Sequence, residues 1–395
     1  MDLTFTPSFA TSRDMGVYLH IPFCRKKCSY CDFASYEGLE AYYDDYVDAL
    51  CAEIKLWAET YPKSAKIPVN TVYFGGGTPT QLSLIQLEQI LYTLYTLYTY
   101  YPCDSVRELS MEANPGEIDI DYLKGLKSLG VTRLSYGVQT FDDDLLQLLR
   151  RGHNAHMAKQ AITDALSVGF QSVSGDLIYA LPGQSLNDIK TNVKTLVDLG
   201  VSHISIYGLQ LEEGTNLHKQ VELGDLDLPS DDENEAMYDC MLDELSANGF
   251  ERYEISNFTN NGSYSYHNLR YWQYKDYLAF GAGAYSFYNN VRRNNEPYVV
   301  PYINRLRQEL LPVVVEEKIS EDRAVEDFCF LALRTKWGLS EKAFNERFNM
   351  SVRDIFGDEI DLLIKQGLLI ADVDTWRLTR DGAKHGNYVF SQFIR

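Results

Sequence analysis

The chain reads as an α/β protein built on a parallel sheet, followed by a smaller helical unit. Two observations carry this. Six short β-type runs alternate with longer helical ones up to about residue 210, and beyond residue 319 that alternation gives way to three helices and a β-ribbon. The β-type runs are 17–20, 71–74, 108–111, 133–136, 174–178 and 203–206. Between them, stretches such as 40–61, 83–101 and 185–199 repeat apolar residues at spacings of three and four, as helices with one buried face do. Strand-helix repetition of this kind forms right-handed parallel crossovers. Six units are too few for a closed eight-stranded barrel, and in either form reactive groups belong at the strands' C-terminal ends.

The tripeptide repeat at 91–99 fits an ordinary helix ended before Pro102. After Glu212 an acidic linker, 225–235, leads into a helix at 233–248, a strand-like 252–256 and an aromatic stretch, 267–287. Helices at 320–334, 340–348 and 354–366, then strands at 368–370 and 376–378, suggest a winged-helix-like unit. Such units often bind DNA, but residues 316–395 hold 12 basic and 15 acidic side chains, so packing or covering is the expected role. Three domains are expected: a loose leader at 1–14, with Met15 a possible natural start, a barrel with its extension at 15–300, and the C-terminal unit at 301–395.

Composition narrows the function. With 36 basic against 56 acidic residues the formal charge is -20, and such a surface repels phosphate backbones, so no nucleic-acid partner is expected. No apolar stretch approaches the roughly 18 residues of a membrane span, and no signal-peptide pattern is present. Seven cysteines, an odd number at low density, argue against a disulfide framework and for a reducing, cytoplasmic setting.

Three of those cysteines, Cys24, Cys28 and Cys31, form a C-x3-C-x2-C run directly after an apolar segment. Three thiolates would hold three irons of a [4Fe–4S] cube and leave the fourth open to a small molecule. Zinc and unbound thiols are the alternatives. Zinc would need a fourth ligand, and Cys51 and Cys103 have no paired partner beside them. The stretch Gly75-Gly76-Gly77-Thr78-Pro79 follows a strand and precedes a helix, where bare backbone can approach a ligand. It lacks the Lys-Ser or Lys-Thr pair of a phosphate loop, and a tight strand-to-helix turn is the alternative.

The run from His20-Ile21-Pro22-Phe23-Cys24 to Cys31-Asp32-Phe33, with the later motifs in order, resembles the radical S-adenosylmethionine (SAM) superfamily. Within it the likeness is to the branch around oxygen-independent coproporphyrinogen III dehydrogenase and the haem chaperones. The resemblance implies a partial (β/α)6 TIM-type radical SAM barrel, a [4Fe–4S] cluster on Cys24, Cys28 and Cys31, and SAM on the open iron, where one electron splits the sulfonium bond. It also implies SAM contacts from Tyr18, Tyr30, Gly76, Gly77, Thr78, Glu112, Gln139, Arg151 and Asp176. On their own residues, Glu112 and Gln139 end successive strands and either cap loops or face a pocket. Arg151 reads equally as a solvated helix end, Asp176 as a carboxylate with a partner inside the protein, and Tyr18 as core.

The dehydrogenase carries a further cysteine where this chain has Phe33, and it has a longer N-terminal extension. His267-Asn268-Leu269-Arg270-Tyr271-Trp272 is similar to the H-N-x-x-Y-W signature of the haem chaperone subgroup, which implies His267 as an iron ligand and Tyr271 and Trp272 as flat faces for a macrocycle. A hydrogen-bonded structural histidine is the alternative. The Gly281–Ala284 stretch is a candidate pocket rim, and no role is assigned to His153, His156, His203, His218 or His385. The expected function is therefore haem delivery to an acceptor haem protein, with an electron donor for the cluster and a possible homodimer. Oxidative decarboxylation of coproporphyrinogen III is the alternative, and a radical step on another substrate a third; no catalytic residue is assigned.

Overall fold

The computed structural model describes residues 14–98 and 108–395. Most of the expected leader, the end of the 83–101 helix, Pro102 and Cys103 lie outside the described residues. Strands β1 (Met15–Ile21), β2 (Val69–Gly76), β3 (Glu108–Ala113), β4 (Arg133–Gln139), β5 (Ser172–Tyr179) and β6 (His203–Gly208) pair in that order, all parallel. The connecting helices are α1 (Tyr43–Thr60), α2 (Leu84–Leu97), α3 (Ile120–Ser128), α4 (Asp143–Leu148), α5 (Ala155–Val168) and α6 (Leu186–Leu199). Local chemistry sets their ends. Ser83 with Gln86, and Ser185 with Asp188, form reciprocal capping boxes at the starts of α2 and α6.

The chain then builds both flanks of the sheet. Helices α7 (Asn216–Glu222) and α8 (Asp231–Ala247) precede β7 (Glu251–Arg252) and β8 (Asn257–Thr259), and β8 runs antiparallel beside β6. Of the expected strand at 252–256 only Arg252 is in a strand, and the rest connects β7 to β8. Next come α9 (Tyr266–Trp272), β9 (Tyr277–Phe280), β10 (Tyr285–Tyr288), β11 (Val291–Asn295), α10 (Val299–Arg307) and β12 (Val313–Lys318). Strand β9 pairs parallel with β1, so the sheet continues past the six expected units in the order β12-β11-β10-β9-β1-β2-β3-β4-β5-β6-β8-β7. It is open, with β12 and β7 at its ends. The result is an α/β partial barrel.

Two large cores follow, beside a small cluster around Leu149. The first runs from Met15 through Tyr302, Ile303 and Leu306, and the second gathers residues from Ile319 onward together with Tyr274 and Phe287. A boundary at 301 falls inside α10, whose apolar face belongs to the first core. The C-terminal unit contains α11 (Glu321–Leu333), β13 (Leu339–Ser340), α12 (Glu341–Phe348), α13 (Val352–Lys365), β14 (Leu369–Asp372), β15 (Thr375–Leu378), α14 (Arg380–Lys384) and α15 (Gly386–Ser391), with the short strands ordered β13-β15-β14.

One buried carboxylate ties the flank to the barrel. Glu53 on α1 accepts from the Gly281 backbone N–H, the Asn295 amide and the Tyr302 hydroxyl. Burial pushes its pKa from the ordinary 4.5 to about 7, against the lowering effect of those donors. A carboxyl raised on folding loses stability as pH rises, at most by about 1.4 kcal/mol per pH unit between the two values. Glu53→Gln removes that slope, so the melting temperature of the variant should gain on that of the parent from pH 5 to pH 7. An unchanged difference would show that Glu53 is not titrating there.

Candidate functional site

The cysteine loop follows β1 and is fastened at several points. Cys24 N–H donates to Tyr36 O, Ser29 N–H to Leu149 O at the end of α4, and Leu217 N–H on α7 to Ser29 O. The glycine run packs directly on it: Gly77 N–H donates to Ile21 O at 2.8 Å and Thr78 N–H to Phe23 O at 2.7 Å. A Cβ at Gly77 would lie 2.6 Å from Phe23 O, and one at Gly76, whose φ is +111°, 2.5 Å from the His20 ring. Both glycines are therefore required by chain packing.

Each cysteine sulfur has a polar neighbour. Arg151 Nη1 donates to Cys28 Sγ at 3.1 Å, Thr78 Oγ1 to Cys24 Sγ at 3.7 Å, and Ser35 Oγ lies 3.8 Å from Cys31 Sγ. Burial raises the Cys24 thiol to about 11 and also raises Cys31, and each of these feels the charge of Cys28. Among the described residues no three or more Cys, His, Asp or Glu side chains converge as they would on a single ion. Three neighbouring sulfurs, each with a polar group at hand, fit the three-thiolate ligand set of a cluster with one open iron.

Arg151 organises the loop from the other side. Besides Cys28, it donates through Nη2 to Asn114 Oδ1 at 2.6 Å and to Gly137 O at 2.5 Å, and its buried Nε has no protein acceptor. Asn114 in turn donates to Thr78 Oγ1 at 2.8 Å. Thiols, glycine run and the ends of β3 and β4 are thereby one connected network. Asn114 escaped the sequence reading, although it lies two residues beyond Glu112.

Glu112 accepts from Tyr73 OH at 2.8 Å and from the Gly76 N–H at 3.1 Å, while burial, and then the charge of Asp176, raises its pKa to about 7. Asp176 accepts from Ser135 Oγ at 3.0 Å and Ser174 Oγ at 3.2 Å, so its partners here lie within the protein. Gln139 sits in a β4 irregularity with φ +69°. Tyr30 packs against the small cluster of Leu145, Leu149, Ile178 and Leu181.

Beside the loop opens a cavity of about 880 Å³, near the upper end of the usual ~300–1,000 Å³ for ligand sites. Tyr18, Gly76 and Glu112 line its inner wall, and Tyr271 and Trp272 line another. Tyr73, Tyr274, Tyr277 and Phe287, which the sequence reading did not single out, complete a largely aromatic lining. Phe33 and Tyr285, both 63% exposed, stand at its opening. Aromatic residues are so frequent in this chain that pattern alone could not separate these from core.

His267 does not line the cavity. The H-N-x-x-Y-W run forms helix α9, capped by Ser265. One turn apart on that helix, His267 Nε2 pairs with Tyr271 OH at 2.8 Å, while Nδ1 pairs with Thr71 Oγ1 at 3.0 Å. The ring is fully buried, which lowers its pKa to about 3, with Arg270 adding to the shift. Both nitrogens are occupied, so iron ligation by this side chain would require α9 to rearrange. The geometry is that of the structural alternative.

The Radical SAM superfamily profile matches residues 18–196, and the HemN C-terminal domain profile matches 319–383. The heme chaperone HemW of Bacillus subtilis is 35% identical over 379 residues, covering 96% of this chain and 99% of its own. The heme chaperone HemW of Lactococcus lactis is 35% identical over 380 residues, covering 96% and 97%. Among solved structures, coproporphyrinogen III oxidase (HemN) from Escherichia coli superposes with a TM-score of 0.84 at 23% identity, over 98% of this chain and 92% of that one, which establishes a shared fold. Near-full-length identity to these relatives, on a radical SAM barrel that carries a three-cysteine loop, means that the chain belongs to the HemW family of the radical SAM superfamily.

Proposed function

We propose that this protein is a haem chaperone that holds a [4Fe–4S] cluster on Cys24, Cys28 and Cys31, binds SAM beside it, and carries haem to an acceptor haem protein. The observation that carries the reading is the 880 Å³ aromatic cavity opening beside the cysteine loop. Its flat faces suit a macrocycle, and the curated relatives are named heme chaperones. When bound, the cluster supplies a one-electron reductant next to the SAM sulfonium. The chain's own work is positional. Arg151 steadies Cys28, Thr78 steadies Cys24, and Glu112, beside the glycine run, places negative charge where a SAM ammonium group would sit.

Tyr18, Tyr30, Gly76, Gly77, Gln139 and Asp176 belong to the proposed SAM surroundings, with Asp176 exchanging a serine partner for ribose on binding. Tyr271 and Trp272 are the proposed haem faces, and His267 supports Tyr271 from beneath. An electron donor, a cytoplasmic setting and a homodimer complete the proposal.

Haemin titration tests it. Trp272→Leu should weaken haem binding about tenfold, or about 1.4 kcal/mol, whereas His267→Gln should leave the haem spectrum unchanged because its nitrogens serve Thr71 and Tyr271. A lost axial-ligand band in His267→Gln would restore His267 as the ligand. No haem binding by the parent would refute the chaperone reading. The shared fold with the E. coli oxidase favours a second reading, decarboxylation of coproporphyrinogen III. An anaerobic assay with SAM and reductant separates the two: product at catalytic turnover supports the enzyme, and Phe33 in place of the extra cysteine argues for its absence.

A further inference from the structure

A second cavity, about 230 Å³, lies where the barrel edge meets the C-terminal unit. Arg252 of β7, Arg334 and Lys336 from the end of α11, and Arg377 of β15 line it, with Glu254 the one carboxylate. Four cations to one anion reverses the balance of a chain with 36 basic and 56 acidic residues.

Much of this charge has a local partner. Glu254 is engaged by the Asn257 amide and the Ser256 N–H, Lys336 by Glu251 and Tyr264, Arg377 Nη2 by Asp372 at 3.0 Å, and Arg252 Nη1 by Tyr238 OH at 2.9 Å. The C-terminus of α11 also favours one nearby cation. The charge of Arg334 is opposed by Glu254, and what lacks a hydrogen-bond acceptor is Nε of Arg334 and Nε of Arg377. A pocket walled by four cationic side chains, two of whose guanidinium groups are short of an acceptor, marks a place for acceptor oxygens.

We propose that this pocket binds a small oxyanion of the phosphate class, and that Arg334 links its occupancy to the large cavity, because the same guanidinium lies 4.4 Å over the Trp272 ring. Guanidinium forks match phosphate oxygens in paired bonds. The volume lies below the ~300 Å³ at which sites for whole organic ligands begin, so phosphate or diphosphate fits and a complete nucleotide does not. An anion that draws Arg334 toward the pocket alters its stacking on Trp272, and Trp272 is a wall of the aromatic cavity.

The test needs neither cluster, SAM nor haem, so its outcome is independent of the chaperone reading. Inorganic pyrophosphate is titrated into the full chain at constant ionic strength, followed by calorimetry and tryptophan fluorescence. Saturable one-to-one binding with a fluorescence change is expected. Arg377→Gln, at a side chain 38% exposed, and Arg252→Gln should each weaken binding at least tenfold while circular dichroism stays native. Trp272→Phe should bind normally but lose the signal, which excludes Trp337 as its source. Absence of saturable binding in the parent, or unchanged affinity in both arginine variants, overturns the site. A signal that persists in Trp272→Phe overturns the link to the cavity.

Discussion

Cys28→Ala, reconstituted anaerobically with iron and sulfide, is expected to retain no cluster absorption, where the parent takes up about four irons per chain. It should also show no SAM-dependent change in the electron paramagnetic resonance of the reduced protein. The physical reason is that two thiolates cannot hold a cube whose third ligand came from the middle of the eight-residue run from Cys24 to Cys31. The same substitution deprives Arg151 Nη1 of its sulfur acceptor. Cys51→Ala and Cys240→Ser provide the contrast, since those thiols lie on α1 and α8, away from the loop. Both should assemble the cluster normally. A SAM-responsive cluster in Cys28→Ala would place the ligands elsewhere and dissolve the proposed site.

Arg151→Met is expected to lower stability by about 3 kcal/mol, because charge-assisted hydrogen bonds to Cys28, Asn114 and Gly137 are lost together and each is worth roughly 1.5–3 kcal/mol, without full additivity. Urea denaturation of the cluster-free chain should show a lower midpoint at an unchanged slope. After reconstitution, SAM affinity should fall as well, since Asn114, Thr78 and the glycine run lose their common anchor. Arg151→Lys keeps the charge but not the fork, and should recover only part of both losses. Parent-like stability in Arg151→Met would mean that the network does not organise the loop.

The motifs legible in the sequence were those whose chemistry is local. The C-x3-C-x2-C spacing, the glycine run between a strand and a helix, and the polar residues ending β3 and β4 can each be recognised within a few positions. The structure brings the first two into direct backbone contact through Gly77 and Thr78. Less was visible where a side chain's role depends on what stands across from it. His267 looked available for iron, yet its partners are Thr71, 196 positions away, and Tyr271. Asp176 could be given a ribose or a protein partner, and only the fold shows that Ser135 on the neighbouring strand supplies a hydroxyl. The sheet's extension was missed because β9 joins β1 from more than 250 positions downstream, and nothing in its four residues announces that pairing.

The sequence alone determined the alternation that makes a parallel sheet, the three thiols and the order of the motifs, because periodicity and ligand spacing are properties of neighbouring residues. Tertiary structure alone decided that aromatic residues from α9, β9 and β10 would enclose a cavity beside those thiols, and that His267 would be sealed behind it. It also decided that four cations would gather at the seam of an acidic molecule. Those outcomes rest on which distant segments become neighbours, and burial and charge take their meaning only once that is settled.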